Sequence, residues 1–150
     1  MGVEGAGRGR ARAADQFLEE EDFAAQLREA FRRWNEGDFD GATELMDEEV
    51  EWHTSGVFPD LVEVYRGRDG IKRFWSDFTA PWDQIEIDPM RIEASGDDAV
   101  VDFRFLARGR GGVRVDMTIF HRFQRRDGLT RYVQSYAARE EALAAAGIAG

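Results

Sequence analysis

His121 is the residue of this chain best suited to chemistry. It stands in the row Val113, Val115, Met117, Ile119, His121 and Phe123, the alternate positions of one long strand-like run. Alternate residues of a strand share a face. Histidine is the side chain whose charge changes near neutral pH, and apolar surroundings hold it neutral. A neutral imidazole can act as a general base, taking a proton from an acidic C–H or from water. The next run sets Tyr132, Gln134 and Tyr136 on one face, where hydroxyl and amide groups can orient a carbonyl or hydroxyl of a bound molecule. Polar tips gathered on an apolar concave wall are the usual make-up of a small-molecule pocket. Trp34, Trp52, Trp75 and Phe103, with Met117 and with Tyr65 at a Tyr-Arg-Gly turn, would give that pocket a preference for flat, hydrophobic ligands.

Other chemistries are poorly served. Cysteine is absent, which removes disulfides, thiolate metal ligands and cysteine nucleophiles. The second histidine, His53, falls on the face opposite Trp52 and away from the expected cavity. No metal-ligand spacing joins it to His121 and a carboxylate, so no metal and no cofactor are expected. Gly109-Arg110-Gly111-Gly112 joins two strands and opens no helix, so it reads as a hairpin and not a phosphate loop. The net charge of -10 argues against nucleic acid and anionic membranes, because phosphate binding needs clustered cations. No run approaches the ~20 apolar residues of a membrane span. Met1 to Ala14 is rich in Gly, Ala and Arg and lacks the apolar core of a secretory signal. The expectation is a flexible tail over 1–15, one domain over 16–150, and a cytoplasmic location.

The elements that must position these residues follow from periodicity. Phe23, Leu27, Ala30, Phe31 and Trp34 recur at helical spacing, which predicts a helix from about Asp15 to Asn35. Asp38 suits the N-cap of a short second helix with Phe39, Ala42, Leu45 and Met46 inward. Glu49 to His53 reads as a strand, Thr54 to Glu63 as a loop, and Val64 to Gly67 as a short strand. Asp69 suits the cap of a third helix whose apolar face carries Ile71, Phe74, Trp75 and Phe78, ended by Pro81. Strands are predicted over Ile85–Ala94, Ala99–Arg108, Val113–Gln124 and Leu129–Ala137. Pro89 marks a bulge or an edge, and Asp127-Gly128 marks a hairpin. Arg139 to Ala146 reads as a terminal helix. Helices followed by a run of antiparallel strands mean an α+β fold. Val101, Phe103 and Phe105 share the face that should meet the helices. The opposite face carries Asp102, Arg104, Arg114, Asp116 and Arg122, a mixture of signs that suits a symmetric homodimer with crossed ion pairs.

In order and spacing the chain resembles the SnoaL-like branch of the nuclear transport factor two-like superfamily. The matching pieces are Phe31-Arg32-Arg33-Trp34-Asn35-Glu36-Gly37-Asp38-Phe39, Val50-Glu51-Trp52-His53, and Tyr65 to Trp75. The last is His121-Arg122-Phe123 followed by Arg126-Asp127-Gly128. The resemblance runs from about Phe17 to Ala146. It implies a cone: a curved, mainly antiparallel mixed sheet wrapped around three N-terminal helices, with a short C-terminal helix. It also implies a homodimer. It implies isomerase, cyclase, hydrolase or dehydratase chemistry, or binding alone. Ketosteroid isomerases of this fold use a tyrosine and two aspartates, and those positions hold Ala30, Trp52 and Ile119 here. The catalytic carboxylate of limonene-type epoxide hydrolases falls on Gln134, which cannot take a proton from water. Their arginine and aspartate fall near Asp102 and Arg104. Polyketide cyclases pair a histidine with an aspartate on an enolisable substrate. His121 matches the histidine, and no aspartate falls on the cavity face.

Two readings stay open. One is cofactor-free acid/base chemistry on a hydrophobic carbonyl or polyketide-like compound, with His121 as base. The other is a module that binds a hydrophobic small molecule without turnover, or that serves only as a structural dimerisation unit.

Overall fold

The computed structural model describes residues 20–54, 57 and 61–148. The tail expected over 1–15 and the predicted helix residues before 20 lie outside them. The elements run in the order helix α1 (20–35), α2 (Phe39–Thr43), β1 (Met46–His53), β2 (Val64–Arg66), α3 (Gly67–Thr79), β3 (Trp82–Ser95), β4 (Asp98–Gly109), β5 (Arg114–Arg126), β6 (Leu129–Tyr136) and α4 (Arg139–Ala146). The strands form one six-stranded sheet in the order β2-β1-β6-β5-β4-β3. β1 pairs with β6 in parallel and every other neighbour is antiparallel. No helix among the described residues is long and apolar enough to cross a membrane.

The helices are placed by their apolar stripes. α1 buries Phe23, Leu27 and Trp34. α3 buries Ile71, Phe74, Trp75 and Phe78. Both stripes meet the face of the sheet that carries Val101, Phe103, Phe105, Ile119 and Phe123, and these residues form one core. Burial of large apolar side chains at about 25 cal/mol per Å² dominates such packing. α4 lies on the other face, where Ala142 and Leu143 pack on Val100 in a second small cluster.

Local chemistry accounts for the joints. Asp38 accepts the amide of Gly41 at 2.9 Å and caps α2. Asp69 does not cap α3. That helix starts at Gly67, directly after β2, with Arg66 as an N-cap that makes no side-chain bond. Gly67 at φ +75° makes the corner that no cap residue is needed to make. β5 ends at Arg126 because its pairing with β6 continues through polar residues to Leu129, and β1 begins at Met46, which pairs with Thr130 ahead of a shift of register. Pro89 sits at a shift of register in β3, on the edge of the sheet, where a missing N–H is tolerated.

The open edge of β3 is met by α1. Asn35 donates from Nδ2 to the carbonyl of Ile87 at 2.7 Å and accepts the Ile87 amide on Oδ1 at 3.0 Å. Its amide group thus imitates a neighbouring strand and satisfies both edge groups. Trp34 is the preceding residue, so this pair of bonds also fixes how the end of α1 meets the core. Asn35→Ala should therefore lower stability by about 1–2 kcal/mol, read as an earlier midpoint in urea unfolding. A midpoint equal to that of the unsubstituted chain would show that solvent replaces both bonds without loss.

Candidate functional site

A cavity lies between α1, α3 and the concave face of the sheet. Its walls are almost wholly apolar, with Trp34, Trp52, Trp75, Phe74, Phe103 and Phe123 among the lining residues. About 630 Å³ of space separates the lining atoms, but only about 40 Å³ is wide enough for the centre of a water-sized sphere. It is a narrow slot. No Asp, Glu, Lys or Arg among the described residues lines it.

His121 is 2% exposed on the wall of this slot. Pairing of β4, β5 and β6 sets Val101, His121 and Ser135 in one row across the sheet. Its ring stands nearly perpendicular to Trp52 at 4.9 Å and is 4.5 Å from Phe103. Neither ring nitrogen has a hydrogen-bond partner among the described residues. Burial alone pushes its pKa down to about 3, because the charged form cannot be solvated there. The imidazole is neutral at ordinary pH, offering one N–H donor and one acceptor nitrogen. The same shift makes it a weak base.

Two more polar atoms on the slot share this condition. Trp34 Nε1 and Gln26 Oε1 are buried without a partner among the described residues, whereas Gln26 Nε2 donates to the Gly128 carbonyl at 2.8 Å. Trp52 differs, since its Nε1 donates to Ser135 Oγ at 3.2 Å. A buried polar group without a partner costs about 1–3 kcal/mol, and such groups are uncommon in folded proteins. Among the described residues, four of the five such atoms lie on this cavity, and the fifth, Asp102 Oδ1, does not. Sequence reasoning passed over Gln26 and Ser135. Gln26 was legible as a polar residue in the helical stripe Phe23, Leu27, Ala30. Ser135 was not, because its face depends on the pairing of β6.

That pairing also corrects the expectation for Tyr132, Gln134 and Tyr136. An unbroken two-residue turn at Asp127-Gly128 would set Gln134 opposite His121. The register shifts between Gln124 and Arg125, with Arg131 as the extra residue, so His121 faces Ser135 and Gln134 faces Arg122. A one-residue slip exchanges the faces of a strand. The three residues therefore project from the convex side. There the Tyr132 hydroxyl donates to Gln134 Oε1, and the Tyr132 ring lies 4.7 Å from His53.

The remaining predicted residues divide as follows. Trp34, Trp52, Trp75 and Phe103 line the slot. Tyr65 is buried beside Phe74, and its hydroxyl donates to Asp77 Oδ2 at 2.8 Å and accepts the Val62 amide at 3.2 Å. It latches the segment after β1 to α3 and does not line the slot. Met117 is 43% exposed and lies on a separate groove.

On the convex face the charges expected to cross between two copies are closed within one chain. Arg104 grips Asp116 through two bonds of 2.9 and 2.6 Å, and Arg122 binds Asp98 at 2.9 Å. Asp102 is only 8% exposed and binds Arg139 of α4 at 3.0 Å. Arg114 is exposed at the start of β5.

The buried imidazole has a measurable signature. Its pKa is lowered on folding, so the unfolded chain binds the extra proton between pH 6.5 and about 3. Stability from the neutral form is complete above pH 6.5 and drains away toward pH 3, at roughly 1 kcal/mol per pH unit. His121→Phe keeps a ring and removes the unpartnered nitrogens. It should raise stability at pH 7 by about 1–3 kcal/mol and flatten the acid limb, both read by urea unfolding across pH. A destabilised variant with an unchanged acid limb would mean the imidazole is bonded in solution.

A profile of the SnoaL-like domain matches residues 27–133 of the chain. A search among curated proteins finds no match. Among solved structures, Bal32a from a soil-derived mobile gene cassette is 24% identical, with 85% of this chain and 98% of that chain covered and a TM-score of 0.72. TerC, co-crystallised with polyporic acid, is 18% identical over 83% of this chain and 97% of its own, with a TM-score of 0.71. SalBIII, an epoxide hydrolase/cyclase-like enzyme of pyran ring formation in salinomycin, is 19% identical over 81% and 94%, with a TM-score of 0.67. These likenesses establish the cone-shaped α+β fold. The matched profile spans most of the chain, from the apolar stripe of α1 through the row that holds His121 to the middle of β6, and the chain belongs to the SnoaL-like domain family.

Proposed function

We propose that the protein binds an uncharged, flat, largely apolar small molecule in the slot, with His121, Trp34 and Gln26 making its polar contacts. The carrying observation is that the buried, unpartnered polar atoms of all three residues gather on one apolar cavity. Together they offer two N–H donors and two acceptors, a set that suits a molecule with a hydroxyl and a carbonyl. A carboxylate or ammonium ligand is not suited, since no charged side chain of the described residues lines the wall and burying an unpaired charge is costly. Binding comes before turnover in this reading. A base whose conjugate acid has a pKa of about 3 abstracts protons poorly at neutral pH.

Turnover is the second reading. Of the neighbours, TerC was co-crystallised with polyporic acid and SalBIII takes part in pyran ring formation. A ligand carbonyl bonded to Trp34 Nε1 would acidify its neighbouring C–H toward His121.

Titration with 2-naphthol and, as a charged control of similar shape, 2-naphthoate tests the binding reading. The naphthol should raise the melting temperature in a concentration-dependent way, and the naphthoate should not. Trp34→Phe and His121→Phe should each weaken naphthol binding by roughly tenfold, the loss of about one hydrogen bond. Equal shifts with both compounds, or variants that bind as well as the parent, would sink it.

A further inference from the structure

Resting on that binding reading, we infer that Phe78 is the partition that sets how long a ligand the site accepts. Two spaces lie along the concave face. One is the slot. The other is a groove of about 670 Å³, lined by residues that include Asp77, Pro81, Trp82, Phe105, Val115 and Met117. Phe78 lines both.

The two spaces are successive stations on one wall. Pairing across β4 and β5 sets Phe103 opposite Ile119, Phe105 opposite Met117 and Ala107 opposite Val115. Phe103 belongs to the slot, and Phe105, the next residue on the same face, belongs to the groove. Alternate residues of a strand are about 7 Å apart, so the spaces are separated by the thickness of a ring. Phe78 supplies that ring. It is 8% exposed, lies 5.0 Å from Phe105, and stacks on Phe74 at 5.7 Å.

The slot alone, at about 40 Å³, is far below the 300–1,000 Å³ of typical ligand sites. The slot and groove joined would fall within that range. Phe78 stands one residue before the end of α3, where the backbone is least constrained by following turns. A rotation of its side chain would open the slot into the groove without moving the sheet. A one-ring ligand would then be held behind Phe78. A longer one would have to displace it, keeping its polar end near His121 and laying its apolar body in the groove beside Trp82 and Met117.

The test compares phenol with 1-hydroxypyrene, by NMR titration for the first and fluorescence for the second. Phe78→Ala should tighten 1-hydroxypyrene binding by at least tenfold and change phenol binding by less than threefold. Phe78→Leu keeps an apolar side chain at the position and should give a smaller gain in the same direction, so the inference stays testable if the alanine variant does not fold. Affinities for 1-hydroxypyrene within twofold of the parent in the folded variants, with phenol still bound, would overturn the partition and leave the binding reading standing. Failure of both compounds to bind any of the proteins would overturn the binding reading and the partition with it.

Discussion

The register of three strands governs the interior of this molecule. Val101, His121 and Ser135 stand in one row because β4, β5 and β6 pair as they do. A sheet has two faces and no intermediate positions, so each pairing decides an entire set of contacts. With this register an imidazole meets Trp52 and Phe103, and Ser135 reaches Trp52 Nε1. Slipped by one residue, β5 would turn Phe120 and Arg122 inward, and the aromatic layer beneath α1 and α3 would face a guanidinium.

The row has an internal tension. Burial among aromatic rings is favourable for the hydrophobic surface and unfavourable for the polar atoms carried on it. Trp52 resolves the tension through Ser135. Trp34 and His121 do not. Their rings are held by neighbours on several sides, Trp34 by Phe39 and Trp75 among them, so the unbonded groups are kept in place by packing they do not themselves stabilise. Departures of this kind from local optimality tend to collect where a fold is used and not merely where it is held together. The same surroundings set the chemical character of the imidazole: neutral, ready to give or take one hydrogen bond, and weak as a base.

The legible parts of the chain were those with long, regular periodicity. The stripes of α1 and α3, the helix Arg139–Ala146, and the apolar faces of β4 and β5 follow from spacing alone. The Asp127-Gly128 turn was equally plain, and both residues adopt positive φ there. The face of β6 was hidden. One extra residue at Arg131 reverses it, and nothing in the residue types announces that insertion. The start of α3 was hidden for a different reason, since Asp69 has the right chemistry for a cap and the glycine corner at Gly67 makes the cap unnecessary. The aromatic character of the site was visible in composition, while its narrowness and its division by Phe78 depend on rotamers that spacing does not specify.

The parallel pairing of β1 with β6 has a consequence in time. Trp52 and Ser135 are 83 positions apart, so the first wall of the slot waits for the last strand of the sheet. Contacts of such long sequence separation make folding slow. Until β6 inserts, one edge of β1 stays unpaired and the aromatic interior faces solvent. A chain emerging from the ribosome exposes α1, α2 and α3 before β6 and α4 are made, so this state precedes closure of the sheet.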